Sequence, residues 1–453
     1  ILNFGVSPSV DLTTRNIFGS AENLTTSISG IFGSVVNTKD IDKRSLAYEI
    51  SAQTTLNFPR LLLPFKTWRL IPKRYSPTSS INLGASVQNN IGLGRINFNA
   101  GLNYFANVND IVSHRLTLFN SQLSLTQNKD RYYDFFPADR DVRNLIFESY
   151  SPTLNQDFID NKITSDELSA IILSDTNYVQ SLSGDQITQF NTFLQSLVNK
   201  DRQTQDVLIS SMIYNFTYNE IGKKDRPNPV HLNAKIESGG NLFSIFNSSE
   251  KEDGVVSGAS KTIFKIPYSQ FVKFDVDFRK YYSVFNNKHT IALRQFIGVG
   301  IPYGNSSTMP FVRSYFNGGS NDIRAWRVFG GLGPADAQYD EKVRAYIMSN
   351  VKLTTNIEYR MPFTDMFEGA AFIDAGNIWS LKADGSGDEF KFNKFISQMG
   401  VGTGLGLRIN IAYITLRLDA AYKAYDPNQP IGDRWVLGNT WKPVLNFAFG
   451  YPF

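Results

Sequence analysis

The chain has 453 residues, a formal net charge of +4 and no cysteine, which excludes disulfide scaffolds, thiolate metal sites and cysteine nucleophiles. Charged residues make up 19 % of the chain and aromatic residues 13 %, a balance that argues against both a disordered protein and a nucleic-acid-binding protein. No linker divides the chain and no apolar run approaches the ~18 residues of a spanning helix, so we expect one large unit without transmembrane helices.

Alternation of apolar and polar residues with period two recurs through the chain and predicts β-strands. Between Tyr48 and Phe58, apolar residues and Thr54 occupy every second position, and polar side chains fill the positions between them. The same pattern recurs at 212–219 and 272–279. In chain order we predict fifteen strands: 1–14, 23–36, 45–58, 79–91, 93–107, 111–126, 207–220, 230–243, 267–284, 286–300, 348–360, 365–377, 397–410, 411–422 and 442–453.

The predicted strands are long, and their connections alternate in length. Most have ten residues or more, whereas strands of soluble sandwiches average ~5–6 residues and a tilted transmembrane strand needs ~9–11. Short connections near 16–22, 107–110, 286–288 and 364–366 alternate with long ones near 244–262, 301–347, 378–396 and 423–441. We therefore predict an all-β fold, a transmembrane antiparallel β-barrel over 1–453 with short periplasmic turns and long external loops. A large soluble β-protein is the alternative that alternation alone leaves open.

Residues 127–206 interrupt the strand pattern and predict a helical insertion in the fourth external loop. Two capping boxes of the form S/T-x-x-E/Q indicate helix starts, Thr164 with Glu167 and Ser183 with Gln186. An apolar stripe of one helix face follows the second box: Ile187, Phe190, Leu194 and Leu197. The insertion is either a folded lid at the barrel mouth or a docking surface for a partner at the cell surface.

Glycine occupies every second position of the strand predicted at 397–410. Gly400, Gly402, Gly404 and Gly406 alternate with larger residues from Met399 to Leu407. Glycine within a strand allows another group to approach the backbone closely. The pattern therefore predicts that something bulky lies against this part of the wall.

The last predicted strand, 442–453, ends the chain on an aromatic residue. One face carries Leu445, Phe447, Phe449, Tyr451 and Phe453. This pattern is typical of an outer-membrane sorting signal, although it also fits the last strand of any β-fold. We expect these five side chains to lie on one face of the strand.

A glycine-rich motif lies in the long connection 301–347. It runs from Gly318-Gly319 through Ser320-Asn321-Asp322-Ile323 to Arg324-Ala325-Trp326-Arg327, with Gly333-Pro334 beyond. This motif resembles the conserved sixth external loop of the barrel-assembly and translocation superfamily of BamA, TamA and their relatives. Five further segments resemble the family in its order: 15–19, 356–359, 372–379, 404–408 and 416–419. Ala325 stands where most members have Gly, and the Ala-Trp form is most similar to TamA-like outer-membrane proteins of Bacteroidetes-type, Gram-negative bacteria.

The resemblance implies a site. The loop 301–347 is expected to fold into the barrel, with Arg324 held by Glu358 and Asp374 and with Gly318, Gly319, Trp326, Gly333 and Pro334 as the loop motif. Both acidic residues have apolar neighbours on either side, which fits inward-facing positions, and a guanidinium offers a rigid fork suited to two carboxylates. The alternative is that Arg324 is an ordinary solvated loop arginine.

The resemblance also implies what the chain lacks. Residue 1 matches the second family strand, so sixteen strands are expected in the family barrel and the first strand and the POTRA domains are expected to be absent from this chain. No signal peptide opens the chain, so we expect a mature or trimmed form. In the family, a weakly paired seam joins the first and last strands, and 442–453 would be one side of that seam.

The resemblance implies an assembly, insertion or translocation factor of the bacterial outer membrane that acts by strand pairing at a lateral seam. Its expected partners are outer-membrane lipids, unfolded outer-membrane client proteins and periplasmic or lipoprotein subunits, with no nucleic acid, metal or cofactor. A two-partner-secretion transporter and a passive pore are the alternatives. An enzyme is not expected, because His114, His231 and His289 lie apart without a nucleophile motif. Asp275 and Asp277 are interpreted with Lys273 and Arg279 as a polar lumen network.

Overall fold

The computed structural model describes residues 4–36, 44–62, 71–90, 93–245, 251–254, 258–286, 288–328, 330–333, 348–381, 389–411, 414–438 and 442–453. Long antiparallel strands dominate these ranges. The strands, in chain order, are β1 (Phe4–Val6), β2 (Ser9–Arg15), β3 (Asn23–Val36), β4 (Arg44–Phe58), β5 (Thr78–Asn90), β6 (Leu93–Asn107), β7 (Val112–Gln127), β8 (Val207–Asn219), β9 (Val230–Gly239), β10 (Lys251–Gly254), β11 (Gly258–Ile263), β12 (Ile266–Pro267), β13 (Phe271–Val284), β14 (His289–Pro302), β15 (Val351–Pro362), β16 (Phe367–Trp379), β17 (Gly400–Ile411), β18 (Ile414–Tyr425) and β19 (Val444–Phe449).

One large sheet contains all of these strands except β10–β12, which form a small separate sheet. The strands of the large sheet pair in chain order, and β1 and β2 both pair with β3. Val6 lies opposite Phe32 and Ser9 opposite Ser29, so β1 and β2 share one register and form a single strand that is interrupted at Pro8. The large sheet therefore has one strand at each of the fifteen predicted positions, and the predicted fold class is confirmed.

The large sheet has two edges. The β1–β2 strand forms one edge and β19 forms the other, and among the residues that the structure describes no pairing joins them. β19 covers only Val444–Phe449, which is shorter than the predicted 442–453. Within the described residues, the sheet is therefore not closed into a complete barrel.

The two faces of the sheet differ in polarity. Large apolar side chains are exposed on the outer face of successive strands: Ile50, Leu83, Phe98, Met212, Ile236, Phe274, Ile297, Ile357, Ile373, Leu405 and Leu418. Charged and amide side chains are buried on the inner face: Glu237, Asn356, Glu358, Asp374, Arg408 and Asp419. An apolar exterior around a polar interior is the arrangement of a transmembrane barrel. Among the described helices, none is both long enough and apolar enough to cross a membrane.

Residues 128–206 form the helical insertion between β7 and β8. Its helices are α1 (Tyr132–Phe135), α2 (Pro137–Tyr150), α3 (Pro152–Ile159), α4 (Ser165–Ser174), α5 (Thr176–Ser181) and α6 (Asp185–Thr204), and the short α7 (Asn241–Ser244) follows β9. The insertion has its own apolar core of Ile146, Phe147, Leu168, Ile172, Phe190, Phe193 and Leu197. Its helices therefore pack as a unit rather than lying singly on the barrel.

The two predicted capping boxes have different outcomes. Thr164 and Glu167 form a complete box at the start of α4, as predicted. The prediction of the second box is wrong, because Gly184 rather than Ser183 is the N-cap of α6. Of the two bonds of a capping box, only the long one from Ser183 N to Gln186 Oε1, at 3.4 Å, is present. Ile187 is correspondingly exposed, and Phe193 joins Phe190 and Leu197 in the core instead.

The insertion contacts the barrel through the end of α6. The inward-facing Arg95 of β6 donates to the Gln203 carbonyl at 3.0 Å, and Arg202 donates to the Met348 carbonyl at 3.0 Å. Met348 lies near the end of the connection that precedes β15. The insertion thus touches the same connection that carries the glycine-rich motif.

A buried acid in the insertion gives a pH-dependent stability. Asp139 is 2 % exposed, accepts a hydrogen bond from the Tyr132 hydroxyl, and has a pKa that burial raises to about 6. Because the folded-state pKa exceeds the ordinary value, the stabilising contribution is complete at low pH and is lost as the pH rises through about 6. We expect the free energy of local unfolding to fall by about 2–3 kcal/mol between pH 4 and pH 8.

Hydrogen exchange of α2 and α6 amides, corrected for the intrinsic pH dependence, measures this change. Asp139→Asn should abolish the pH dependence. Asp141→Asn is the matched control, since its side chain is 71 % exposed and its replacement should leave the dependence intact. Equal protection of the wild-type helices at pH 4 and pH 8 would contradict the prediction.

Candidate functional site

The described part of the connection between β14 and β15, residues 303–328, 330–333 and 348–350, enters the interior of the curled sheet. Near its base, Tyr315 pairs with Ser349, and the Tyr315 ring lies over Gly298 of β14. Further along, Ile323, Ala325 and Trp326 are buried against the inner wall. The connection is therefore a loop inside the barrel, which we call the inner loop.

The tip of the inner loop is a tight turn that only glycine permits. Gly318 and Gly319 have φ values of +89° and +107°, and a Cβ at Gly318 would lie 2.3 Å from the Arg327 carbonyl. The turn closes through a bond from Gly319 N to the Trp326 carbonyl at 2.8 Å. Asp322 stabilises it by accepting from Gly318 N at 2.9 Å. This geometry explains the Gly-Gly pair and directs the following Arg324 at the wall.

Arg324 lies among carboxylates of the neighbouring strands. Its Nε and Nη2 donate to the two oxygens of Asp374 on β16, at 2.8 and 2.9 Å. Its Nη1 donates to Glu358 on β15 at 2.5 Å. The guanidinium also stacks 3.4 Å above the Phe372 ring. The structure thus brings together the three residues that the sequence singled out, and all three are fully buried.

Glu358 is shared by three guanidinium groups. Besides Arg324, it accepts from Arg360 at 2.9 Å and from Arg408 of β17 at 3.0 Å. Arg408 continues the network to Asp419 of β18 at 2.5 Å. The sequence reasoning missed Arg360, Arg408 and Asp419 as site residues, although 404–408 and 416–419 had matched family segments.

The resulting network joins four consecutive strands to the tip of the inner loop. Arg417 extends it, since its Nη2 donates to the Ser320 carbonyl at 2.9 Å and to Asn321 at 2.6 Å. Removing one member of a buried ion pair leaves its partner uncompensated and costs about 3–5 kcal/mol. The network is therefore suited to fix the tip in one position.

The glycine-rich face of β17 accommodates the tip. A Cβ at Gly402 would lie 2.5 Å from the Ala325 Cβ, and one at Gly400 would lie 2.7 Å from Leu332 and 3.1 Å from Trp326. The prediction that a bulky group approaches this wall is confirmed. The group is the loop tip itself.

A second set of contacts anchors the base of the inner loop to the other half of the sheet. Arg313 donates to Glu237 of β9 at 2.8 Å and to Gln122 of β7 at 3.3 Å. Glu237 is fully buried and also accepts from Ser211 of β8. The Tyr315 hydroxyl bonds to Asp275 of β13. One loop thus reaches β7, β9 and β13 with its base and β15–β18 with its tip, which shows that the sheet curls around it.

The seam strand agrees with the prediction only in part. Leu445, Phe447 and Phe449 are 75 %, 61 % and 67 % exposed on the outer face of β19. The expectation that Tyr451 and Phe453 continue this face is wrong, because the strand ends at Phe449 and Gly450 turns the chain with a φ of +72°.

Beyond that turn, the last residues enter the interior. Phe453 is 6 % exposed, and its carbonyl accepts from Arg360 at 3.0 Å. Arg360 also lies 4.3 Å from the centre of the Tyr451 ring. On β19 itself, Asn446 faces inward and donates to the Arg324 carbonyl at 3.0 Å. The seam strand therefore contacts the tip of the inner loop directly.

The remaining predicted residues lie around this site or outside the described residues. The Gly333 carbonyl accepts from Asn377 at 2.7 Å, and Pro334 is outside the described residues. Asp277 pairs with Arg279 at 2.9 Å and with Arg294 at 3.0 Å, as expected of a lumen network.

The three histidines lie in separate places. His114 bonds to Tyr214 and His289 to Tyr359, whereas His231 lies on β9. Within the ranges that the structure covers, no group of three or more His, Cys, Asp or Glu residues could hold a metal ion.

Comparisons with known proteins agree with this geometry. The profile of the Omp85 superfamily domain matches residues 16–450. No curated protein sequence matches the chain. Among solved structures, BamA from Haemophilus ducreyi lacking POTRA domains 1–3 is similar, with 12 % identity, a TM-score of 0.50, and coverage of 98 % of this chain and 69 % of that chain.

Two further solved structures are CdiB from Escherichia coli and CdiB from Acinetobacter baumannii. The first has 13 % identity, a TM-score of 0.46 and coverage of 98 % of this chain and 58 % of that chain. The second has 10 % identity, a TM-score of 0.40 and coverage of 98 % and 56 %. This chain thus spans less than two thirds of either CdiB chain, and the likeness to solved structures concerns the fold.

The first prediction for the site concerns Arg324. Replacing Arg324 with Ala removes the charged partner of the buried Asp374. We therefore expect the free energy of the opening that exposes the tip amides to exchange to fall by about 3–5 kcal/mol. Hydrogen exchange of a peptide covering 316–328 measures the loss. Arg327→Ala is the matched control, because Arg327 is exposed on the same loop and should change little. Wild-type protection in Arg324→Ala would contradict the role of the carboxylates.

The second prediction concerns the contact between the tip and β17. Gly402→Ala places a methyl group against Ala325 and should cost about 1–3 kcal/mol of tip protection by overpacking. Adding Ala325→Gly should restore protection, since the nearest remaining atoms of residue 325 lie 3.6 Å away. Gly432→Ala, where a Cβ meets nothing within 4 Å, serves as the control. Failure of the double variant to recover would show that the methyl contact is not the cause.

Proposed function

The chain belongs to the Omp85 superfamily and is an outer-membrane β-barrel protein, and on this premise we propose that it inserts or translocates client proteins by pairing their strands with an edge of its own sheet. An unpaired edge strand is a template for strand addition, because its backbone donors and acceptors lack partners on one side. The proposal concerns unfolded outer-membrane proteins as clients.

The open edge at β19 is the observation that carries the proposal. In the part of the chain that the structure describes, β19 pairs only with β18, and the β1–β2 strand pairs only with β3. β19 has 6 residues, whereas its neighbour β18 has 12. A short edge strand with few partners separates more readily from a closing strand than a long one does. Client strands are therefore proposed to enter at the free edge of β19.

The inner loop supports the proposal by fixing the wall next to the seam. Arg324, Glu358 and Asp374 are proposed to hold the tip against β15–β18, and Asn446 links the tip to β19. A wall that is rigid on one side of the seam gives an incoming strand a constant register to pair with. The role of the loop motif is thus proposed to be positioning rather than catalysis.

We further propose a TamA-like member of the superfamily from Bacteroidetes-type, Gram-negative bacteria, working without nucleotide, metal or covalent chemistry. The Ala325-Trp326 form of the tip supports this subtype. Accessory periplasmic or lipoprotein subunits are expected partners, because the known superfamily architecture extends beyond the barrel.

Site-specific photocrosslinking tests the seam. A photoreactive amino acid at Leu445 or Phe447 should form adducts with newly synthesised outer-membrane proteins during their assembly. Leu405 is the matched control, because it is 66 % exposed on the outer face but lies in the interior of the sheet. Equal adducts at Leu405 and Phe447, or client assembly without adducts at β19, would contradict strand pairing at this edge.

A further inference from the structure

One connection at the end of the barrel opposite the helical insertion is long and basic. It joins β4 to β5 through the 19 residues 59–77, whereas the other connections at this end have ten residues or fewer. Successive connections of the large sheet alternate between its two ends, and the end with short turns is the periplasmic one. Residues 59–77 include five Lys and Arg residues and no Asp or Glu. The structure describes 59–62 and 71–77 of them, which we call the basic connection.

The basic connection folds back over the outer face of the sheet. Leu83 lies on the outer face of β5, so Ser79 also faces outward, and its partner Tyr104 on β6 shares that face. Ser79 Oγ accepts from Leu62 N at 2.9 Å, and the Tyr104 hydroxyl donates to the Leu62 carbonyl at 2.8 Å. Ser79 and Tyr104 are buried although they face outward. These hydrogen bonds therefore hold Leu62 against the outside of the wall, on the side that faces the bilayer.

Three exposed cations lie in the basic connection. Arg60 follows the last residue of β4 by two positions, and Lys73 and Arg74 lie in a short 3-10 turn just before β5. The Arg60 side chain is 62 % exposed, and its nearest carboxylate is Glu22 at 3.9 Å. Neither Lys73 nor Arg74 forms an ion pair with another described residue, and Arg74 lies over the ring of Tyr75 at 5.2 Å. Their positive charges are therefore available to an external anion.

The other basic turn at this end, residues 220–229, differs because it carries its own carboxylates. Lys223 lies 3.9 Å from Asp110, and Arg226 lies 3.4 Å from Glu220 and 3.8 Å from Asp225. The excess of positive charge is thus a property of the basic connection and not of the whole end of the barrel.

We propose that the basic connection binds the headgroups of anionic phospholipids in the leaflet at this end of the barrel. Leu62 is held on the outside of the wall, and the three cations lie next to the ends of β4 and β5, where the membrane-spanning strands reach the headgroups. Lys and Arg attract anionic headgroups at such a depth, and a guanidinium can bind a phosphate through two hydrogen bonds. The position on the outer wall favours lipid over an acidic protein subunit. The site is independent of where client strands pair.

Energy transfer in phospholipid vesicles tests the site in the full chain, which has no cysteine of its own. A donor fluorophore on Ser76→Cys, in the basic connection, should transfer more to acceptor-labelled phosphatidylglycerol than to acceptor-labelled phosphatidylcholine with the same acyl chains. Asp365→Cys, on the short turn between β15 and β16, is the control position and should show no such preference. Heat-modifiable electrophoretic mobility shows that each variant is folded.

Removing the cations should remove the preference. Lys73→Gln combined with Arg74→Gln should lower the relative association of phosphatidylglycerol at Ser76→Cys at least fivefold, since one basic residue near an anionic surface contributes about fivefold. Lys73→Arg combined with Arg74→Lys should retain the preference. Lys223→Gln combined with Lys224→Gln removes the same charge from the compensated turn and should leave the preference unchanged.

Four results would overturn the proposal. They are a wild-type connection without preference for phosphatidylglycerol, a preference that survives Lys73→Gln with Arg74→Gln, an equal loss in Lys223→Gln with Lys224→Gln, and loss of the preference on adding inorganic phosphate at constant ionic strength. The third result would mean that the net charge of this end attracts the lipid. The fourth would mean that the cations bind a free anion rather than a headgroup in the membrane.

Discussion

The burial of one guanidinium group organises the site. Arg324 is fully buried, and a buried cation is tolerated only where anionic partners surround it. The barrel supplies them at inward positions of consecutive strands, Glu358 on β15 and Asp374 on β16. Those positions in turn require the loop tip to approach the wall closely, which the glycine face of β17 permits. The same ion pairs therefore depend on three features: the turn at Gly318, the contact at Gly402 and the register of β15–β17.

The inner loop is held at two places with the same chemistry. Arg313 binds Glu237 on β9, and Arg324 binds the carboxylates of Glu358 on β15 and Asp374 on β16. A loop that is fixed at its base and its tip connects separate parts of a sheet whose edges do not pair within the described residues. Its anchors thereby tie β15 and β16 to β9 and β13. The helical insertion adds a contact from outside, through Arg202 and the Met348 carbonyl.

The sequence allowed the strands to be predicted well, because period-two alternation is a local signal. Arg324, Glu358 and Asp374 were predicted as a site from the resemblance to a family motif, not from the periodicity of the residues around them. The Arg313–Glu237 pair was missed, since its members are 76 positions apart and nothing local joins them. Phe453 was assigned to the wrong surface because strand alternation was extended through Gly450, whose positive φ ends it. The exposure of Ile187 could not be predicted either, because helix periodicity does not reveal which face of the helix its neighbours will cover.

The shortness of β19 sets a limit on how tightly anything can be held at its edge. In an antiparallel edge, alternate residues direct their N–H and C=O groups away from the existing partner. Half of its 6 residues, with two groups each, would offer an incoming strand about six hydrogen bonds, each worth about 1 kcal/mol net. If clients pair at this edge as proposed, such an association would be weak enough to be reversed without an energy source. The dwell time of a strand at this edge would then be governed by competition with that strand's own folding.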